Sequence, residues 1–262
     1  MALTRAQLTQ VSAAEERQQR LAHLQRLSYR ELEALLGGDP EEAVMWIRSA
    51  AECGLIAAQL RLGRMLLTGT GLPPDPPAAL GWFERAARQG DAEAMNMLGR
   101  CLENGWGTPV DPVRAAEQYG LSARRGYDWG EYNFGNMWFD GRGVRRDHRL
   151  AVYWYQRSAA QGHGRAMNLL GRCREQGWGC DPDLHTAALW YQRSAATGYF
   201  RGQFNYAAVL AQHGQVAAAA LWYRRAAAGG DRAIRRAIVT ALINAVHPDL
   251  YAVREEILPS CR

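Results

Sequence analysis

Six histidines (His23, His148, His163, His185, His213, His247) and five cysteines (Cys53, Cys101, Cys173, Cys180, Cys261) are the side chains of this chain most able to ligate a metal or attack a carbonyl. Their spacing favours neither. No His-Glu-x-x-His occurs and no two cysteines form Cys-x-x-Cys. His163 and Cys173 lie ten residues apart on one expected helix, which does not bring two ligands onto one turn. Cys173, Cys180 and His185 are near in sequence, so a metal reading competes with packing. Cys180 shares a column with Leu72 and Val144, and Cys101 shares one with Cys173, which favours small buried apolar residues. All 31 basic residues are arginine, which removes Schiff-base lysines, phosphate-loop lysines and Ser-x-x-Lys nucleophiles. No Ser-His-Asp or Cys-His arrangement follows from the spacing. No catalytic residue, metal or cofactor is expected.

Composition sets the next bounds. With 48% hydrophobic and 22% charged residues, the 262-residue chain is too apolar and too evenly patterned to be disordered. Mean hydropathy is -0.34, and no apolar run nears the roughly 18 residues of a spanning helix, so no membrane segment is expected. The stretch from Met1 to Arg20 is polar and predicts no secretory leader. With no leader expected, the odd cysteine count points to reduced thiols in a cytoplasmic setting. A net charge of +5 is modest and serves solubility as readily as attraction to acidic partners.

The elements that position these residues repeat. Gly63, Gly99, Gly135 and Gly171 recur every 36 residues, with Ala207 continuing the series. Gly54, Gly90, Gly126, Gly162 and Gly198 keep the same interval, as do the pairs Gly69/Gly71, Gly105/Gly107, Gly141/Gly143 and Gly177/Gly179. Asp39, Asp75, Asp111, Asp147 and Asp183 form a further column; Trp46, Trp82, Trp154 and Trp190 form another, broken at Gln118. This is a tandem repeat. Full repeats run 55–90, 91–126, 127–162 and 163–198, and a fifth, 199–230, is four residues shorter and lacks the Gly-x-Gly loop.

Each repeat reads as two helices. The first, such as 128–140, sets Gly130, Phe134 and Trp138 on one stripe and ends at the paired glycines, which supply positive φ. The second starts at the Asp column, an N-cap residue, with Pro40, Pro76 or Pro112 in its first turn. One such pair cannot bury its apolar face alone, so neighbours must stack as an all-α solenoid of antiparallel helix pairs.

The pattern Ala-x3-Leu-Gly-x6-Gly-x-Gly-x3-Asp-x3-Ala-x2-Trp-Tyr-x2-Ala-Ala-x2-Gly resembles the Sel1-like repeat, a relative of the tetratricopeptide repeat. Ala94 to Gly126 and Ala166 to Gly198 match it with few departures, among them Arg174 in place of Tyr and Cys180 in place of Val. The resemblance covers about 55–230. It implies a right-handed superhelix, first helices lining a concave side, and an adaptor role in protein complexes.

The flanks are expected to be caps. Within 1–54, Ser12/Glu15 and Ser28/Glu31 are capping boxes ahead of Leu21, Leu24, Leu32, Leu35 and Leu36, and 40–54 is the second helix of a degenerate leading repeat. Within 231–262, Ile234, Ile238 and Leu242 form the face of a closing helix, which Pro248 breaks before a short tail.

Subtracting the repeat columns leaves one tryptophan, Trp129, without a packing duty. With Tyr132, Asn136 and Phe139 it forms a stripe nearly opposite the Gly130, Phe134 and Trp138 core stripe, and so is expected to face the concave groove. The same columns hold Glu93, Asn96, Arg100 and Glu103 before it; Arg165, Asn168, Arg172 and Glu175 follow, then Arg201 and Phe204. Asn can hold an extended backbone and Arg can fork onto a carboxylate. Two packing alternatives stay open. The aromatics could pack on neighbouring first helices or a terminal cap, and the Asn and Arg side chains could bond between repeats. The expected function is a non-enzymatic scaffold, favoured as a monomer, that binds a peptide or protein surface. Nucleic-acid binding by an arginine-rich repeat is the alternative, opposed by the glutamates interspersed in these columns, and an enzyme has no supporting constellation.

Overall fold

The computed structural model describes Glu15, Gln19, Ala22 and residues 40–261. Apart from Glu15, the residues of the two expected capping boxes lie outside the described residues, as do the leucines from Leu21 to Leu36 and Asp39. Among the described residues all regular structure is helical. It forms two compact bodies, one ending at Arg125 and one beginning at Gly126.

The N-terminal body contains α1 (Pro40–Glu52), α2 (Ile56–Thr68), α3 (Pro76–Arg88), α4 (Ala92–Asn104) and α5 (Pro112–Arg124). The C-terminal body contains α6 (Asp128–Asp140), α7 (His148–Ala160), α8 (Gly164–Gln176), α9 (Leu184–Ala196), α10 (Phe200–Gln212), α11 (Val216–Gly229), α12 (Arg232–Ala241) and α13 (Pro248–Ile257). In each body consecutive helices pack as antiparallel pairs, the first and second helices of one repeat making the most extensive contacts.

Local chemistry sets the helix ends where the period predicts them. Gly177 closes α8 at φ 70°, and its N–H donates to the Cys173 carbonyl. Only a residue free of Cβ takes that conformation without strain, which is why the column is glycine. Second helices begin at aspartate: Asp111, Asp147 and Asp183 each accept an N–H three residues on, from Arg114, Leu150 and Thr186, all at 3.0 Å. Such a cap is worth about 1 kcal/mol.

Inside each of the four full repeats a glycine of the first helix admits an aromatic ring of the second. A methyl placed on Gly171 would lie 2.5 Å from the Tyr191 ring. Tyr119, Tyr155 and Tyr191 are thereby almost wholly buried. A column not singled out in the sequence secures the other end. Ser122, Ser158 and Ser194 are fully buried and donate to the carbonyls of Ala92, Asp128 and Gly164 at 2.6, 2.8 and 2.7 Å.

The C-terminal flank differs from expectation in one respect. Ile234, Ile238 and Leu242 are buried as the closing face. Pro248, however, starts a helix instead of leading into a tail: α13 packs on α11 and buries Leu250, Val253 and Ile257. Proline at the first helical position lacks only a donor that would be unpaired there anyway.

Candidate functional site

The stripe of α6 divides into two halves. Trp129 remains 38% exposed. Its indole meets Tyr132 edge-on with centroids 6.1 Å apart, and the Arg165 guanidinium lies 5.2 Å above its ring. Tyr132 is half-buried, packs on His163 at 4.8 Å and lines a cavity toward the next repeats. His163 supports both rings and caps α8, its Nδ1 accepting the Ala166 N–H at 3.3 Å. Burial pushes its pKa down to about 4; the charge of Asp128 opposes this and that of Arg165 adds to it. The imidazole is therefore a neutral platform at neutral pH. Its column signals a cap, since Asp91 caps α4 from the same position. Nothing in that column signals a role under the aromatics.

Asn136 and Phe139 are engaged by the protein itself. Asn136 Oδ1 accepts the Tyr155 hydroxyl at 2.8 Å. In the neighbouring repeats the equivalent tyrosines, Tyr119 and Tyr191, donate instead to Glu103 at 2.6 Å and Glu175 at 2.9 Å. Phe139 occupies that glutamate column, so its tyrosine turns to Asn136. The Phe139 ring stacks on His148 at 4.7 Å and meets Trp178 edge-on at 5.3 Å. Asn136 is thus bonded within its own repeat, and Phe139 packs on the second helix of its repeat and on the loop of the next.

The cavity beside Tyr132 measures ≈ 310 Å³ and is lined by Arg165, Asn168 and Arg172 of α8, Arg201, Phe204 and Asn205 of α10, Tyr199 before it, and α12. It brings together Tyr132, Arg165, Asn168, Arg172, Arg201 and Phe204, with Trp129 at its edge through Arg165. Asn168 is only 5% exposed, and its Oδ1 accepts the Asn205 amide at 2.7 Å. Arg172 lies 5.3 Å over Trp178, and Arg201 5.9 Å over Phe200. Among the described residues none of Arg165, Arg172 and Arg201 forms an ion pair.

In the N-terminal body, Asn96 is a buried polar group, 3% exposed. Arg100 lines a separate cavity of ≈ 450 Å³ with Arg64, Leu67, Met97 and Trp106, its guanidinium 5.1 Å over Trp106. Arg64 is paired with Glu93.

Cys101 and Cys173 are buried, which pushes both thiols up to about 12 and keeps them protonated. Among the described residues no three His, Cys, Asp or Glu side chains are grouped so as to hold a metal ion. No described helix is long and apolar enough to cross a membrane.

The Sel1 repeat family model matches residues 20–55, 56–91, 92–127, 130–163, 164–199 and 201–231. No curated protein matches the chain. Among solved structures, a protective antigen of uropathogenic Escherichia coli displaying an SLR fold is similar, with 27% identity and a TM-score of 0.73. That alignment covers 97% of this chain and 56% of the antigen, so the chain spans little more than half the antigen's length. A Sel1 repeat protein from Oxalobacter formigenes shares the fold at 22% identity and a TM-score of 0.76, over 89% of this chain and 100% of its own. An immunity protein of Pseudomonas aeruginosa shares it at 16% identity and 0.53, over 79% and 80%. Sel1 repeat proteins are in general interaction scaffolds and typically not enzymes. With six matches running in step with the glycine and aspartate columns from residue 20 to 231, the chain belongs to the Sel1 repeat family.

Proposed function

We propose that this protein is an adaptor that binds a peptide segment or protein surface in the groove of its C-terminal body, across α6, α8 and α10. The observation that carries the reading is the ≈ 310 Å³ opening lined by Tyr132, Phe204 and three guanidinium groups that form no ion pair among the described residues. Tyr, Trp and Arg dominate binding hot spots because each joins a large contact area to a directional polar group. Trp129 extends the surface, its exposed edge held by Arg165 on one side and His163 beneath.

The test compares proteins captured from the native cell by wild type and by a Trp129→Ala, Tyr132→Ala double variant. The variant is expected to lose the specific partner while keeping its helical circular dichroism. An identical set captured by the folded variant would remove these residues from the site.

A further inference from the structure

The lining of the C-terminal cavity is charged in one sense only. Arg165, Arg172 and Arg201 contribute to it and no Asp or Glu does. Some arginines elsewhere pair with carboxylates: Arg157 with Glu131 at 2.8 Å, and Arg224 with Glu256 through two bonds of 2.7 and 2.8 Å. The cavity arginines lie against rings, Arg165 on Trp129, Arg172 on Trp178 and Arg201 on Phe200, as Arg85, Arg193 and Arg225 lie over tryptophans elsewhere; what sets the three apart is that they converge on one opening. A ring contact engages the flat face of a guanidinium and leaves its N–H edge available. Three such edges around one opening create a positive potential that no carboxylate of the described residues neutralises by an ion pair.

The other walls narrow the ligand. Asn168 and Asn205 bond to each other, which leaves one amide N–H₂ and one amide oxygen of the pair for a backbone. Ala233, Ile234 and Ala237 of α12 close one side with apolar groups. That wall suits an aliphatic side chain set between charged ones and offers a phosphodiester chain no donor.

We infer that this cavity recognises an acidic peptide segment, its Asp or Glu carboxylates forked by Arg165, Arg172 and Arg201 and its backbone held at the Asn168–Asn205 pair. The inference rests on the groove reading above and supplies its ligand class.

Phage-displayed random dodecapeptides are panned on the immobilised full chain, on an Arg165→Gln, Arg172→Gln, Arg201→Gln variant, and on a Tyr132→Ala, Phe204→Ala variant. Peptides selected by wild type are expected to be rich in Asp and Glu and to be retained by neither variant. Replacing their acidic residues with Asn and Gln is expected to weaken binding to wild type by about tenfold or more, the scale of one lost charge-assisted contact. That swap is made on the ligand, so it decides the matter even if an arginine variant fails to fold. Neutral or basic peptides that depend on Tyr132 and Phe204 would overturn the acidic class and leave the groove reading standing. Peptides indifferent to both variants would sink both readings. Displacement of the acidic peptide by an equimolar single-stranded oligonucleotide would overturn the inference in favour of nucleic acid.

Discussion

The indole of Trp129 meets the buried imidazole of His163 edge-on, with ring centroids 4.6 Å apart and planes at 84°. The histidine must be neutral to do this while its Nδ1 accepts the Ala166 N–H, because a protonated ring has no acceptor left.

Stability is therefore expected to depend on pH through His163. Its pKa is about 4 in the folded chain against an ordinary 6.5, so folding disfavours the proton. Above about pH 6.5 neither state binds it and stability is full. As pH falls toward 4 the unfolded chain takes up a proton that the folded chain refuses, and on the order of 3 kcal/mol is lost. Below that both states are protonated and the loss stops growing. His163→Asn keeps a neutral cap, so its thermal midpoint should fall less between neutral pH and pH ~4.5 than that of wild type. Parallel curves for the two proteins would remove His163 as the cause.

Glu131 carries a second pH signature, of opposite sign. It is 0% exposed, with Arg157 Nε at 2.8 Å from one oxygen and Gln161 Nε2 at 2.8 Å from the other. Burial raises its pKa and Arg157 opposes the rise. A carboxyl that holds its proton more tightly when folded costs stability as pH climbs past its ordinary value. Arg157→Ala removes the opposing charge and should destabilise the protein by about 2 kcal/mol at neutral pH, discounted for the exposed guanidinium. The gap to wild type should narrow toward about pH 5, while Glu131→Gln should cost about 1 kcal/mol or less. Denaturant titrations at both pH values check this, and a gap that widens on acidification contradicts it.

Much of this architecture is readable from the period, because what ends each helix acts within a few residues. Gly177 and Asp183 work through their own backbone neighbours and need no tertiary context. The groove is less readable because its faces are decided by the next repeat. Asn168 is buried because Asn205 reaches it, and the column it shares with Asn96 and Tyr132 does not specify that partner. Phe139 looks like a groove aromatic by angle, yet Trp178 and His148 cover it from neighbouring segments. Ser158 illustrates the same limit: its column is visible, but its acceptor on Asp128, thirty residues earlier, is not.

Two helical glycines, one inside a repeat column and one outside any, predict substitutions of opposite effect. Gly171 faces the Tyr191 ring, whereas Gly81 in α3 has nothing within 4 Å of where its Cβ would stand. Gly81→Ala should stabilise by about 0.5–1 kcal/mol through reduced freedom of the unfolded chain. Gly171→Ala gains the same term but must displace a buried ring, and a net loss of about 1–2 kcal/mol is expected. Thermal midpoints moving in the same direction for both variants would contradict the close approach at Gly171.

The tyrosine column separates a charged acceptor from a neutral one on the same scaffold. Tyr191 donates to the Glu175 carboxylate at 2.9 Å and Tyr155 to the Asn136 amide at 2.8 Å, both from almost wholly buried rings. Removing only the hydroxyl leaves the ring packing in place, so the difference between the variants isolates the hydrogen bond. Tyr191→Phe is expected to cost about 1.5–2 kcal/mol and Tyr155→Phe about 1 kcal/mol, since bonds to an ionised group are stronger. If Tyr155→Phe proves the more damaging at neutral pH, Asn136 is holding more than the tyrosine, and its unused amide N–H₂ becomes the place to look.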